Sequence, residues 1–355
     1  MRVLHLCRDS RNVGNGTVNL AVTLATGQAA AGATVGFLHA RGGFAELLEA
    51  RGVATFRAGE AVTVDLGPNA ALGTRRAIRA FEPDVVHSHM GVNCLLTAAV
   101  RPFCPRFRTV ATVHRQFSRE AAAMRLADHA VAISDSDRRN LLARGFRPGR
   151  VTRIHNGTLG FDPTLDGAGS ADADVRLRSP SVLTVAGMNH RKGIADLIAA
   201  IDLVRREIPE VHLYLAGHGS ERALFEAMAV ERGLEATVTF LGFRADPRPL
   251  YPQADVFVLA SRAEPFGLAL LEARAAGCAI IGTEVDGIPE VLAGGAAGRL
   301  VPPRDPERLA AAITALLRDG EARAALGRAA RSGLDYWSVA RMVDETLALY
   351  DRLAA

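Results

Sequence analysis

The chain opens on a short apolar run, Val3 to Cys7, and runs of the same kind return at Asp84 to His87, Thr109 to Val113, Ala130 to Ser134, Ser181 to Ala186, Val211 to Ala216 and Ala254 to Ala260. They are apolar on successive residues rather than alternate ones, the pattern of strands buried on both faces of a parallel sheet. Ala- and Leu-rich stretches with helical spacing lie between them. Strand and helix in regular alternation predict an α/β protein with parallel sheets.

A weak repeat divides the chain. Val3 to Ala25 and Val182 to Ile201 each read as strand, glycine-bearing loop and apolar helix, and the segment from Asp162 to Pro180 between them has no apolar period. At 355 residues the chain is long for one core and suits two domains joined by that polar linker. We place the boundaries at 1–160 for an N-terminal Rossmann-like domain and 161–337 for a C-terminal one. The stripe Val339, Met342, Val343, Leu347, Tyr350 and Leu353 predicts a closing helix over 338–355.

Composition removes several classes. With 49% hydrophobic and 23% charged residues the chain is globular. No apolar run approaches the ~20 residues that span a bilayer, and the early charges Arg8, Asp9 and Arg11 do not fit a secretory leader. Cys7, Cys94, Cys104 and Cys278 lack metal-binding spacing and read as free thiols of a reducing cytoplasm. Charge is unevenly shared: residues 1–160 hold 21 arginines against 11 acids, a net +10, and residues 161–355 hold 21 basic against 27 acidic residues, a net −6. Arg75, Arg76 and Arg79, and Arg101, Arg106, Arg108, Arg115 and Arg119 among Phe103, Phe107 and Phe117, suit an anionic acceptor or the inner face of an anionic membrane. A solvated face explains the same charges. No nucleic-acid-binding motif accompanies them.

The most informative stretch is Ser261 to Ala273. A strand ending at Ala260 leads through Glu264, Pro265 and Gly267 into a helix whose stripe is Leu268, Leu271 and Ala275. The free N–H groups near Phe266, Gly267 and Leu268 then form a site for phosphate or sugar oxygens. Glu264 stays in the loop and Glu272 lies about one turn inside the helix, so two ionised carboxylates stand ready to accept hydrogen bonds from hydroxyls. Taken singly, each glutamate is equally well an ordinary helix-start acid, favoured by the helix dipole at ~0.3–1 kcal/mol. A second clue is Lys192, the single lysine beside 41 arginines, in Asn189-His190-Arg191-Lys192-Gly193 at another strand-to-helix junction. A compact ammonium suits a diphosphate better than a planar guanidinium does. Gly14 and Gly16 follow the first strand, but they do not spell a dinucleotide fingerprint, which disfavours a dehydrogenase. Asp172 and Asp174 imitate a metal pair inside the linker and read as solvated.

Glu264 and Glu272, with Pro265-Phe266-Gly267 between them and Ala275-Ala276-Gly277 after, resemble the E-x7-E signature of retaining glycosyltransferase family 4. The resemblance implies a GT-B fold, two Rossmann-like domains facing a cleft, with the final helix packing back on the first. It implies that Lys192 grips the donor diphosphate. Family members often carry an arginine five or six residues earlier, where this chain has Gly187 and Ala186, and Arg191 is the replacement within reach. Thr112-Val113-His114 implies that His114 contacts the donor sugar beside the reacting carbon. Gly14 and Gly16 align with a loop that touches donor phosphate or acceptor, and backbone near Phe243 with the holder of the base. Asn156-Gly157 matches a turn that tolerates positive φ and serves as a hinge.

The expected activity is transfer of a sugar from a nucleoside diphosphate sugar, UDP-linked by default, to the hydroxyl of a glycan, lipid or small-molecule acceptor, with retention and without a metal or other cofactor. Expected catalytic residues are His114, Lys192 and Glu264; expected donor contacts are Gly14, Gly16, Arg191, Lys192, Phe243, Phe266, Gly267, Leu268 and Glu272. A nucleotide-sugar epimerase of the same fold and a non-catalytic sugar-binding protein remain as alternatives. The expected location is the cytoplasm, with peripheral contact at the inner face of the membrane.

Overall fold

The computed structural model describes residues 1–7, 9–10, 16–39, 41–57, 68–114, 119–158 and 175–355. It divides into two compact units, Met1–Gly167 with Tyr336–Ala355, and Ala168–Asp335.

The first unit contains, in chain order, β1 (Arg2–Leu6), β2 (Asp9–Ser10), β3 (Thr34–His39), β4 (Arg41–Gly42), β5 (Ala54–Arg57), β6 (Val85–Ser88), β7 (Arg108–Val113), β8 (His129–Ala132) and β9 (Val151–Arg153). Seven of them make a parallel sheet in the order β5-β3-β1-β6-β7-β8-β9, and β2 pairs with β4 alone. The chain builds outward from β1 through β3 and β5, then restarts on the other flank with β6. That reversal, between β1 and β6, opens a crevice at the strands' C-terminal ends, where ligands of doubly wound sheets collect. His5 of β1 and His87 of β6 are register partners beside it.

The second unit has one parallel sheet of β10 (Ser181–Val185), β11 (His212–Ala216), β12 (Val238–Gly242), β13 (Val256–Leu259), β14 (Ala279–Thr283) and β15 (Arg299–Val301), in the order β12-β11-β10-β13-β14-β15. Its reversal falls between β10 and β13. The α/β parallel-sheet class read from the sequence is therefore the observed one. Helices bury apolar faces on this sheet: Ile194, Leu197, Ile198 and Ile201 of Ile194–Glu207, and Leu309, Ile313 and Leu316 of Pro306–Arg318, share a core with Val182, Leu213, Val256 and Ile281.

The helix Val339–Ala354 belongs to the first unit. Met342, Val343, Leu349 and Tyr350 pack with Val3, Leu24, Val85, Val110, Val131 and Ile154, so the end of the chain closes the core that its beginning opens. Ser338 caps this helix through a hydrogen bond from Arg341 N. Among the described residues no helix is long and apolar enough to cross a membrane.

Gly157 corrects one expectation. It is absent from the residues with positive φ; the reason for glycine is proximity, since a Cβ there would lie 2.1 Å from the Ser338 carbonyl oxygen. Gly157→Ala must push the start of the terminal helix off its seat. We expect a loss of about 1–3 kcal/mol, read as a lower urea midpoint. An unchanged midpoint would show that this approach does not constrain the native state.

Candidate active site

The loop after β10 ends in a 3-10 turn, His190–Lys192, rather than the open loop expected, and Gly193 follows at φ 66°. A side chain at Gly193 would put its Cβ 1.8 Å from the Ala260 carbonyl oxygen. Two strand-end loops are thus brought within backbone contact across the reversal of strand order. Arg262 N donates to Arg191 O at 2.8 Å, and the Arg191 guanidinium donates to Ala263 O at 3.0 Å. Arg262 grips Asp196, at the start of the next helix, through two bonds of 2.7 and 2.6 Å.

Within that frame the structure brings together Lys192 and Glu264. The ammonium donates to Glu264 Oε2, the same oxygen that accepts from Ser261 Oγ at 3.3 Å. Their side chains are only 16% and 8% exposed, so the pair is screened little by water. Burial alone would push the Glu264 carboxyl up, but the Lys192 charge, its hydrogen bond and the Arg191 charge outweigh burial and hold it below the usual carboxylate range. Glu264 N donates to Asp286 Oδ2 at 2.8 Å, and Gly287 N to Glu264 O at 3.1 Å, tying the loop to the one after β14. Asp286, a residue the sequence reading missed, is raised by its own burial and by the Glu264 charge.

The helix Leu268–Ala276 begins at Gly267, with φ 92° and no side-chain cap. Its first N–H groups are therefore not satisfied by a cap, which is what an anion site at a helix start requires. Phe266 is buried. Glu272 is half-buried one turn along and accepts from the Tyr251 hydroxyl at 2.5 Å. Its own burial raises the Glu272 carboxyl above its ordinary value, against the Tyr251 bond and the Arg248 charge. Tyr251 was invisible as a site residue in the sequence, because Leu250-Tyr251 reads as core. At the sheet's other flank Phe243, 41% exposed, follows β12 and meets His218 edge-on at a ring separation of 5.6 Å.

In the first unit Gly16 opens the helix Gly16–Ala30, while Gly14 lies outside the described residues, as do Asp172 and Asp174. His114 follows β7 and is held down to about 4 by burial. Its Nε2 lies 3.2 Å from His89 Nδ1, in a group with His5 and His87 that sequence spacing did not reveal.

Two family models match: glycosyltransferase family 4 over residues 14–158 and glycosyl transferases group 1 over residues 171–333. The chain belongs to the family 4 type of glycosyltransferase. It is 32% identical over 279 residues to a glycogen synthase of Mycobacterium tuberculosis, covering 72% of this chain and 65% of that protein. It is 37% identical over 154 residues to a phosphatidyl-myo-inositol mannosyltransferase of Mycolicibacterium smegmatis, covering 42% of this chain and 39% of that one. This chain thus spans about two thirds or less of the length of these relatives. Among solved structures, Anabaena HepE in complex with UDP and glucose superposes with a TM-score of 0.82 at 23% identity, covering 99% of each chain. That likeness establishes the GT-B class of fold.

Lys192→Met leaves the Glu264 carboxylate buried without its cation. We expect a loss of about 3 kcal/mol at pH 7. Because the wild-type carboxyl is depressed, its contribution to stability is present above the unfolded-state value and lost as pH falls through the folded one. The gap between wild type and variant should accordingly narrow in urea melts at pH 4. A gap independent of pH would sink this account of the pair.

Proposed function

We propose that the chain is a retaining glycosyltransferase, moving a sugar from a nucleoside diphosphate donor, UDP-linked by default, to an acceptor hydroxyl. The observation that carries this reading is the Lys192–Glu264 pair at the strand-order reversal, beside an uncapped helix start. As the glycosidic bond breaks, negative charge builds on the β-phosphate. Lys192, Arg191 and the N–H groups from Phe266 to Leu268 are the preorganised positive groups that stabilise it. In this reading they supply the charge that a magnesium ion supplies elsewhere.

Glu264, kept ionised by Lys192, accepts hydrogen bonds from the donor sugar, and Glu272, steadied by Tyr251, accepts from the ribose diol. We assign the base to the backbone near Phe243 and the donor sugar to His114, and we carry the phosphate-or-acceptor role of Gly14 and Gly16 over from their sequence motif alone. Glu264 lacks the free geometry of a double-displacement nucleophile, since it is held by an ammonium and a hydroxyl. Same-face attack, with the leaving phosphate taking the acceptor's proton, fits better. HepE's complex with UDP and glucose supports the donor class.

The acceptor is a glycan, lipid or small molecule. Peripheral contact with an anionic membrane is supported by Phe103, 63% exposed, with the Arg75 guanidinium 5.9 Å from its ring centre. Arg101 is less available, being paired with Asp128 at 2.8 Å. A cytoplasmic location accords with Cys94, Cys104 and Cys278, none of which is in a disulfide.

Thermal melts with UDP, GDP and ADP test the donor class. The right nucleotide at ~100 times its dissociation constant adds ~2.7 kcal/mol, and no shift with any of the three would end the proposal. Lys192→Arg keeps the charge but spreads it over a plane, and Glu272→Ala removes the diol acceptor. Each should cut turnover of the preferred donor by about a hundredfold. Near-normal turnover in both would remove the site assignment.

A further inference from the structure

The buried histidines at the reversal of the first sheet form one hydrogen-bonded file. Gln28 Oε1 accepts from His5 Nε2 at 2.8 Å, His5 Nδ1 lies 3.0 Å from His89 Nε2, and His89 Nδ1 lies 3.2 Å from His114 Nε2. Beyond it, His114 Nδ1 is buried and has no partner among the described residues. The other end is anchored too: Gln28 Nε2 donates to the Tyr350 hydroxyl at 3.4 Å, and that hydroxyl donates to His87 Nδ1, whose Nε2 donates to Thr112 Oγ1 at 2.7 Å. Gln28, His5 and His87 are fully buried and His89 is 2% exposed.

Burial holds His5 and His114 down to about 4 and keeps His87 and His89 well below the ordinary imidazole value. Each ring therefore carries one proton at neutral pH and donates from one nitrogen only. That makes the file directional. With the Gln28 amide nitrogen turned to Tyr350, its oxygen fixes the proton on His5 Nε2, which fixes the next on His89 Nε2 and the last on His114 Nε2.

We propose that Gln28, His5 and His89 are positioning residues that lock His114 in its Nε2–H tautomer, so that Nδ1 is presented as a hydrogen-bond acceptor for a substrate hydroxyl. The identity of that hydroxyl as a sugar's rests on the glycosyltransferase reading. A phosphate or carbonyl oxygen has no proton to give, so the file makes His114 selective for an alcohol. Nitrogens of His5, His87 and His89 also come within 4.8 Å of one another, a spacing a metal ion accepts. All six nitrogens of these rings are already hydrogen-bonded, however, so a cation would have to break the file to enter.

The test is long-range ¹H–¹⁵N spectroscopy of the histidine-labelled full chain at neutral pH, with turnover of UDP-glucose measured in parallel. The expected spectrum has His5, His89 and His114 each protonated at Nε2. His89→Gln can still accept from His114 through its oxygen and donate to His5 through its nitrogen, whereas His89→Phe can do neither. We expect kcat within about twofold of wild type in the first and down about tenfold or more in the second, with KM little changed. A proton on His114 Nδ1, or equal wild-type turnover and unchanged ring spectra in both variants, overturns the proposal. If wild type does not turn over UDP-glucose, the donor reading is what fails, and the ring spectra alone decide the tautomer.

Discussion

A buried ammonium–carboxylate pair where the second sheet reverses its strand order is the constraint on which the site depends. Taking Lys192 and Glu264 out of water is costly, and only close pairing, with Ser261 on the same oxygen, offsets that cost. Several neighbouring features serve this closeness. Gly193 lets the loop after β10 approach the Ala260 carbonyl, Arg191 and Arg262 tie the two loops together, and Asp286 holds the Glu264 backbone N–H. A charged site in a parallel sheet needs such a frame, because the strand ends fix where each loop starts but leave its side chains free.

The two sheets place polar groups at corresponding points and choose opposite electrostatics. At the second reversal the groups are ions, paired and held charged. At the first, between β1 and β6, they are imidazoles that burial keeps neutral. Neutral rings have no strong Coulomb grip on a ligand, but as one-proton relays they carry hydrogen-bond polarity over several residues. An ionic centre suits an anion that must be held and then stabilised on departure. A neutral acceptor suits a hydroxyl that must be oriented without gaining charge.

The terminal helix gives the first unit a further dependence. Met342, Val343 and Leu349 complete the apolar core, while Tyr350 on the same helix reaches Gln28 and His87. The last residues of the chain therefore bear on both the stability of the first sheet and the proton positions of its histidines, and Gly157 is small so that this helix can seat.

The sequence by itself determined the α/β class and the strands at Val3, Val182 and Val256, and it singled out Lys192, Glu264 and Glu272 as candidates, since unbroken apolar runs, one lysine among arginines and a long local motif are all readable without a fold. It did not mark β3, β5, β14 or β15: Gly36 and Gly282 interrupt the apolar runs of β3 and β14, and β5 and β15 are only four and three residues long. Nor did it reveal Asp286, Tyr251, or the file joining Gln28, His5, His89 and His114. These groups are distant in the chain and become neighbours only where strands, helices and loops of each folded unit pack together. The tertiary structure also decided that Lys192 and Glu264 bond to each other and that Gly157 answers to proximity instead of positive φ. Local pattern fixes which residues can form a strand or a helix start; pairing, protonation and steric room depend on what the folded chain sets alongside.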